Sequence, residues 1–305
     1  MFTGRTGRAG GRSVGNAGLQ FRYRLIAPPS ACAKAINTFY VIETDAEEVE
    51  EVLPAYSAQL VLIVRGQLRL TYAEGRTAQL AGIAFNAPQL RSSACLLQGP
   101  LTLVGVSFTP TGWQALANLP ADEMHDRPIP AAAVLSAEQI SALETYMAAV
   151  AAGSATPESL CERLAAVIAK EPFALRGDHL LLVEAITRWL GSGFDPPLAA
   201  LHEAVSVSPR QLQRISRRFF GVAPAQTLKR HRAIRAAMLL AHPALPETMR
   251  QEMLASYFDQ AHLIRDIRRY TGRTPRQLQV PTLTRGMLDP YAHGESAAFL
   301  REPAN

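Results

Sequence analysis

Residues 208–224, SPRQLQRISRRFFGVAP, recur 51 positions later as residues 259–275, DQAHLIRDIRRYTGRTP. Six of the 17 aligned positions are identical, and Phe219 of the first copy pairs with Tyr270 of the second. Self-similarity over a whole segment indicates an internal duplication. The identical pairs are Leu212 and Leu263, Arg214 and Arg265, Arg217 and Arg268, Arg218 and Arg269, Gly221 and Gly272, and Pro224 and Pro275.

Each copy is predicted to form a short helix with both ends marked. Ser208 and Asp259 are N-cap residues, because their side-chain oxygens can accept hydrogen bonds from the free N–H groups of a first turn. Gly221 and Gly272 suit the left-handed conformation that ends a helix. Between these limits one stripe of each helix is apolar and is predicted to face a core. The stripes hold Leu212, Ile215 and Phe219, and Leu263, Ile267 and Tyr270.

The opposite stripe of each predicted helix is rich in arginine and glutamine. Their forked donors and acceptors match the edges of guanine and adenine in the major groove of DNA. For a lone helix a solvated arginine face would be the better explanation, but the duplication and the flanking turns favour DNA binding. The stripes hold Arg210, Gln213, Arg214 and Arg217 in the first copy, and Ala261, Arg265 and Arg268 in the second, with Gln260 and His262 near its start.

The charge of the chain is unevenly distributed. At 305 residues and a net charge of +5, the chain is long enough for two domains that each bury a core. Residues 208–285 hold 15 Lys and Arg against 4 Asp and Glu, whereas residues 40–178 hold 8 against 16. A net +11 on the duplicated module is the charge that a phosphate backbone attracts.

The cysteines and the hydropathy exclude several classes of protein. Cys32, Cys95 and Cys161 are far apart and form no CxxC pair, so we expect reduced thiols and neither disulfides nor a zinc site. We expect no metal and no cofactor. No run of 18 apolar residues is present, and the N-terminus lacks the apolar segment of a signal peptide. A cytoplasmic protein without a membrane partner is therefore predicted.

The order of the elements predicts an α+β multidomain protein. Short apolar runs from residue 20 to about 110 predict an antiparallel β-sandwich or cupin-like barrel. Within it, residues 59–80 are predicted to turn near Arg65–Gly66 and near Glu74–Gly75. Amphipathic helices are predicted over residues 136–150, with a capping box from Ser136 to Gln139, and over residues 156–170. An all-α domain with two helix-turn-helix units and a connecting helix of 16 to 18 residues follows.

These patterns predict four regions. Residues 1–19 are expected to be a disordered basic arm, and residues 20–175 a β-rich sensor or dimerisation domain with a helical tail. A linker is expected near residues 171–178, a DNA-binding domain over 179–282, and a C-terminal tail over 283–305.

An enzyme is not expected, although some cupins are metal enzymes. Metal chemistry would need clustered His, Asp or Glu on the strands. The first 178 residues contain one histidine, His125, and it lies after the predicted strands. Its acidic neighbours Asp122, Glu123 and Asp126 are predicted to form a solvated loop.

Residues 179–280 resemble the AraC/XylS family of bacterial transcription regulators. The resemblance is strongest in YFDQAHLIRDIRRYTGRTP, and LPADEMHDRPIPAAAVL is similar, more weakly, to the sensor domain of a subgroup of that family. The resemblance implies two helix-turn-helix units joined by a long helix. It also implies a monomeric or dimeric sequence-specific regulator of double-stranded DNA, controlled by a small-molecule effector or by dimerisation through the N-terminal domain. The same resemblance implies RNA polymerase as a further partner.

The family's DNA-contacting positions can be carried over residue by residue. His262 also has an interpretation as a helix-capping partner of Asp259. Helix N-termini and flanking arginines position a protein on phosphates without reading bases. The implied base-reading residues are Arg210, Gln213, Arg214, Arg217, Gln260, His262 and Arg265. The implied phosphate contacts are Ser208, Arg218, Arg268, Arg269, Arg273 and Thr274.

Two departures from the family pattern lie in the first helix of each helix-turn-helix unit and in the turn that follows it. His202 and Glu252 stand where the family has a small alanine, and Ser206 and Ser256 stand where it has a turn glycine. A serine with positive φ would be strained, and an unpaired buried carboxylate is costly. Glu252 must therefore turn outward or pair with an arginine. The alternative function is a regulatory protein-interaction module with weakened or lost DNA reading.

Overall fold

The computed structural model describes residues 12–13, 20–169, 177–241 and 247–289. The predicted linker at 171–178 is described only from residue 177, and residues 290–305 of the predicted tail lie outside the described part. Within the predicted arm, Arg12–Ser13 form a strand that pairs with residues 24–25, and the other residues up to 19 are outside the described ranges.

The described chain begins with an antiparallel β-domain and continues as helices. The strands are β1 (Arg12–Ser13), β2 (Arg22–Ile26), β3 (Ile36–Thr44), β4 (Glu48–Leu53), β5 (Gln59–Thr71), β6 (Thr77–Asn86), β7 (Ser93–Phe108) and β8 (Pro128–Pro130). The helices are α1 (Pro110–Ala117), α2 (Ala121–Met124), α3 (Ala137–Ala151), α4 (Pro157–Ala169), α5 (Gly177–Gly191), α6 (Leu198–Glu203), α7 (Pro209–Phe220), α8 (Pro224–Ala241), α9 (Glu247–Ala255), α10 (Gln260–Thr271) and α11 (Leu283–Met287).

The long strand β7 organises the sheet. The order is β1-β2-β3-β7-β5-β6-β8, and β4 also pairs with β7, beyond the end of β3. All these pairings are antiparallel. The curved sheet has two apolar faces: α3 and α4 cover one, and the other forms the interior of the barrel. The prediction of an antiparallel, cupin-like β-domain followed by helices is confirmed.

One predicted turn is wrong. A turn was expected at Arg65–Gly66. Instead, β5 continues through these residues, which form a bulge where the pairing with β7 shifts register. Gly66 has a φ of 76°, and a Cβ there would lie 2.4 Å from the backbone oxygen of Gln98. A glycine inside a strand can thus mark a bulge rather than a turn. The second predicted turn is present, between β5 and β6.

The helical predictions agree with the structure. The capping box from Ser136 to Gln139 starts α3, with both of its hydrogen bonds present. Helices α6 and α7 form the first helix-turn-helix unit and α9 and α10 the second, with α8 between them. Helix α8 has 18 residues and is therefore about 27 Å long.

Helix α8 belongs to the cores of both units. Leu228, near its start, packs with the apolar residues of α5, α6 and α7. The stretch from Ala233 to Ala241 packs with those of α9 and α10. Because one helix completes two cores, neither unit can turn on its own without exposing apolar surface.

Arg235 attaches α8 to the end of α5. Its Nη1 donates to the backbone oxygens of Leu190, at 3.3 Å, and of Gly193. Its guanidinium also lies over the ring of Phe194, 4.4 Å from the centroid. Burial lowers the pKa of Arg235 to about 10, and the charge of Glu252 partly opposes that shift. The charge is retained at neutral pH and satisfies carbonyl groups at the end of a helix.

We expect Arg235→Ala to destabilise the helical domain by about 1–3 kcal/mol, because it leaves buried carbonyl oxygens without a donor. Urea unfolding followed by circular dichroism measures the change. Arg276→Ala removes the same charge from an exposed position and should change stability by less than about 0.5 kcal/mol. Equal unfolding midpoints for the two variants would contradict the role of Arg235.

Candidate nucleic-acid interface

The ends of α7 and α10 are formed by the residues that the repeat predicted. The Oγ of Ser208 accepts from the backbone N–H of Gln211 at 3.2 Å, and an Asp259 carboxylate oxygen accepts from that of His262 at 2.6 Å. Gly221 and Gly272 end the helices with φ of 84° and 70°. Both helices therefore begin and end at equivalent positions of the repeat.

The two faces of each helix are separated as predicted. The apolar stripes lie in the cores of their units. The arginine and glutamine stripes are exposed, so their donors are available to a ligand on the outside. The exposed members are Arg210, Gln213, Arg214 and Arg217 on α7, and Gln260, Arg265, Arg268 and Arg269 on α10.

His262 differs from the other candidate readers because its side chain turns toward the protein. Its Nε2 lies 3.2 Å from a carboxylate oxygen of Asp266, and its ring meets that of Tyr257 edge-on at 5.3 Å. Asp266 is itself buried and pairs with Lys229 of α8 at 3.2 Å. The aspartate occupies the repeat position of the buried Ile215, and it links α10 to α8 through charge instead of apolar contact.

Several candidate phosphate contacts already have partners within the chain. The Nη2 of Arg218 donates to the Oδ1 of Asn118 at 3.0 Å. The Nη2 of Arg273 lies 2.7 Å from a carboxylate oxygen of Glu51. Both partners belong to the N-terminal domain. Thr274 bonds with Gln277 through its backbone N–H and its hydroxyl, whereas Ser208, Arg268 and Arg269 are exposed.

Part of the positive charge of the module is structural, which the sequence did not reveal. Arg230 donates to the backbone oxygen of Phe220 at 3.1 Å, and burial lowers its pKa. Arg232 pairs with Asp195 at 2.9 Å. With Arg235, these residues lie within two turns of α8 and bond to groups of the chain itself. Residue type does not separate these arginines from those of the reading stripe; their burial and their partners within the chain do.

The four residues that depart from the family pattern lie in α6, in α9 and in the turns after them. Glu252 is exposed, which is the first of its two predicted solutions, and His202 is half-buried. Neither Ser206 nor Ser256 needs the conformation of a glycine, because Asn118 and Asp126 are the only described non-glycine residues with a positive φ. The expected strain of a serine in either turn is therefore absent.

The C-terminal ends of α7 and α10 rest on the N-terminal domain. A Cβ on Gly221 would lie 2.9 Å from Leu90, and one on Gly272 would lie 2.4 Å from Val52. The backbone N–H of Ala55 donates to the oxygen of Tyr270 at 2.6 Å. The repeated glycines therefore serve two purposes: they end the helices and they allow this close approach.

The acidic segment after the strands holds Leu90, which lies against Gly221. Asp126 accepts from the backbone N–H of Leu90 at 3.0 Å, and its other oxygen lies 3.0 Å from the Nδ1 of His125. Asp122 and Glu123 are exposed, as predicted, but Asp126 is not part of a solvated loop. Among the residues that the structure describes, no group of three His, Cys, Asp or Glu is placed to hold a metal ion.

The barrel interior contains a cavity of about 30 Å³. This is room for roughly two water molecules. Its wall is apolar except for a few neutral polar groups, and the hydroxyl of Tyr40 donates to Gln59 at 2.5 Å. Leu283 and Met287 of α11 complete the wall. No charged side chain lines the cavity within the described ranges.

The chain is similar to several solved structures at low sequence identity. ToxT from Vibrio cholerae is 10% identical with a TM-score of 0.44, over 78% of this chain and 95% of that one. Unsaturated fatty acid bound ToxT from strain SCE256 is 10% identical with a TM-score of 0.42, over 76% and 95%. EutQ of Clostridium difficile is 11% identical with a TM-score of 0.23, over 32% and 75%. At these TM-scores the likeness carries no weight for function.

No curated protein matches the sequence. In the described part of the chain, every helix is too short or too polar to cross a bilayer.

Family models match two segments of the chain. A domain of unknown function, DUF6597, matches residues 24–130, which contain most of the β-domain. A helix-turn-helix domain matches residues 201–279, which include both units and the connecting helix. The chain thus has an AraC-type helix-turn-helix domain at its C-terminus.

Proposed function

We propose that the protein is a sequence-specific regulator that reads operator or promoter DNA with the exposed faces of α7 and α10. Residues 179–282 would form the DNA-binding domain, and residues 20–175 the domain that controls it. The proposed base contacts are Arg210, Gln213, Arg214, Arg217, Gln260 and Arg265. His262, which the resemblance also implies as a reader, is proposed instead to hold α10 through Asp266 and Tyr257. The proposed phosphate contacts are Ser208, Arg218, Arg268, Arg269, Arg273 and Thr274.

The observation that carries this proposal is the exposure of the same stripe on both repeated helices. Arg214 and Arg265 occupy identical repeat positions, and both are exposed while their neighbours Leu212 and Leu263 are buried. Exposed arginines on a single helix would be unremarkable surface charge. Two equivalent readers fixed to one rigid connector gain affinity, because binding by the first raises the effective concentration of the second.

The N-terminal domain is proposed to control DNA binding by taking up a small molecule or by forming a homodimer. The lining of the barrel cavity supports the first route, since ligand sites are lined by apolar side chains with a few placed polar groups. A molecule larger than water must displace part of that lining. Its lining favours a neutral, largely apolar molecule, because no cation is present there to pair with an acid. The direct contacts between this domain and the ends of α7 and α10 offer a path for control.

Glu252 no longer favours an interaction module, but exposed apolar side chains now do. Exposure of Glu252 removes the burial cost that cast doubt on the second unit. However, Phe258, in the turn after α9, is 95% exposed, and Leu254 of α9 is 52% exposed. A protein partner such as RNA polymerase could cover these side chains while DNA occupies α10. Binding assays on genomic fragments separate the functions: a protein that prefers no fragment over bulk DNA at physiological salt is not a reader.

Arg214→Ala and Arg265→Ala should each weaken binding to a selected site by about 1–3 kcal/mol and relax base preference locally. Arg214→Lys and Arg265→Lys keep the charge but lose the forked donors, so they should relax preference with a smaller loss of affinity. Gel shifts on a library randomised around the site measure both effects. Arg76→Ala removes an exposed arginine of the β-domain and is the matched control. An equal loss on every sequence would mark phosphate contacts instead.

His262→Ala decides between the two roles of that residue. Because its ring contacts Tyr257 and Asp266, we expect the thermal stability of the domain to fall while base preference stays unchanged. Gln260→Ala, on the exposed first turn of α10, is the comparison and should change preference with little effect on stability. Relaxed preference at one base pair in the His262 variant would instead make it a reader.

A further inference from the structure

Helix α11 follows the DNA-binding domain in sequence but lies on the β-domain in space. Leu283 and Met287 are buried in the same apolar cluster as the barrel interior. The next residue, Leu288, is buried in the core of the second helix-turn-helix unit. One short segment therefore contributes to the cores of both domains.

Polar contacts fix this segment at the mouth of the barrel. The backbone N–H of Leu283 donates to the Oε1 of Glu51 at 3.0 Å, and the hydroxyl of Thr284 donates to the oxygen of Val52 at 2.6 Å. The Oε2 of Glu51 lies 2.7 Å from the Nη2 of Arg273. A single buried carboxylate thus holds both α11 and the end of the second reading unit.

The packing of α11 leaves no spare room. A Cβ on Gly286 would lie 2.7 Å from the ring of Tyr23, which is buried beneath the helix. Leu283 and Met287 project onto the wall of the cavity and leave it too small for an organic ligand. Apolar side chains of the chain itself therefore close the cavity to a larger molecule.

We propose that residues 282–289 are a tethered plug: a neutral apolar effector enters the barrel by displacing Leu283 and Met287, and this displacement releases Arg273 from Glu51. The inference rests on the proposed function of the barrel and of α10, and it specifies how the two are coupled. The effector has about the bulk of the two side chains it replaces. It carries at most a neutral polar group, for which Gln59 and Tyr40 provide partners.

Release of the plug changes the DNA-binding surface. Glu51 loses its bond to the N–H of Leu283, and Arg273 loses its 3.4 Å contact with the hydroxyl of Thr284. With α11 displaced, water reaches the ion pair between Arg273 and Glu51. Because an exposed ion pair is weak, Arg273 can exchange the carboxylate for a phosphate. Because coupling between two ligands is reciprocal, DNA that engages Arg273 also favours the open barrel and raises the affinity for the effector by the same factor.

The experiment uses full-length variants and two measurements. Gly286→Leu cannot seat α11 against Tyr23, and Leu283→Ser with Met287→Ser removes the apolar plug without adding bulk. Gly193→Leu is the matched control, since a Cβ there meets nothing within 4 Å. Barrel access is measured with the neutral fluorescent probe N-phenyl-1-naphthylamine, and phosphate contact by the salt dependence of binding to a random-sequence duplex.

Both plug variants should bind the probe with a dissociation constant at least about tenfold lower than those of wild type and Gly193→Leu. Their plots of log K against log salt should be steeper by about 0.9, the value for one added phosphate contact. Adding Arg273→Ala to Gly286→Leu should restore the wild-type slope.

Equal probe affinity in wild type and both plug variants would overturn the plug, and an unchanged salt slope would overturn its coupling to DNA. Absence of DNA binding in every variant would defeat the proposed function and the coupling together. The probe measurement would still decide whether α11 occupies the barrel.

Discussion

The sharing of α8 between two apolar cores is the constraint on which the rest of the structure depends. Its first turns complete the core of one helix-turn-helix unit and its later turns complete the other. Apolar burial is not directional, but a continuous helix keeps its residues in a fixed geometry. The two units therefore cannot reorient independently, and the exposed stripes of α7 and α10 are presented as one rigid surface.

The inward arginines of α8 show why charge alone overstates the nucleic-acid surface. Arg230, Arg232 and Arg235 satisfy carbonyl groups and a carboxylate at the ends of neighbouring helices. Arg218 and Arg273 point to acceptors on the β-domain. A net charge counts all of these residues equally, whereas only the exposed ones contribute directly to the field that DNA meets at close range.

Contact between the β-domain and the reading helices is concentrated at the helix C-termini. The glycine at each end permits the approach, and Glu51 adds a buried charge pair beside the second. Their N-terminal turns and exposed stripes are left clear of the β-domain. Control by the N-terminal domain can therefore act on the position of the helices without covering the side chains that would read bases.

The sequence by itself determined the parts of the fold that depend on local chemistry. Caps, glycine stops and apolar stripes predicted α7, α8 and α10 almost to the residue, and alternating apolar runs predicted the antiparallel β-domain. These features are readable because each follows from neighbours within one or two turns of the chain. The bulge at Gly66 was mistaken for a turn because a glycine with positive φ suits either, and only the partner strand distinguishes them.

Only the tertiary structure decided which of the candidate DNA-contacting residues lack a partner in the chain's other domain or core, and where residues 283–289 pack. The sequence could not show that His262 turns toward Asp266, that Arg273 pairs with Glu51, or that Glu252 faces outward. Residues 283–289 read as part of a tail, because five helical residues carry no periodic signal. Their role depends on cavity-lining residues at least 180 positions earlier in the chain, and contacts across that distance leave no local pattern to read.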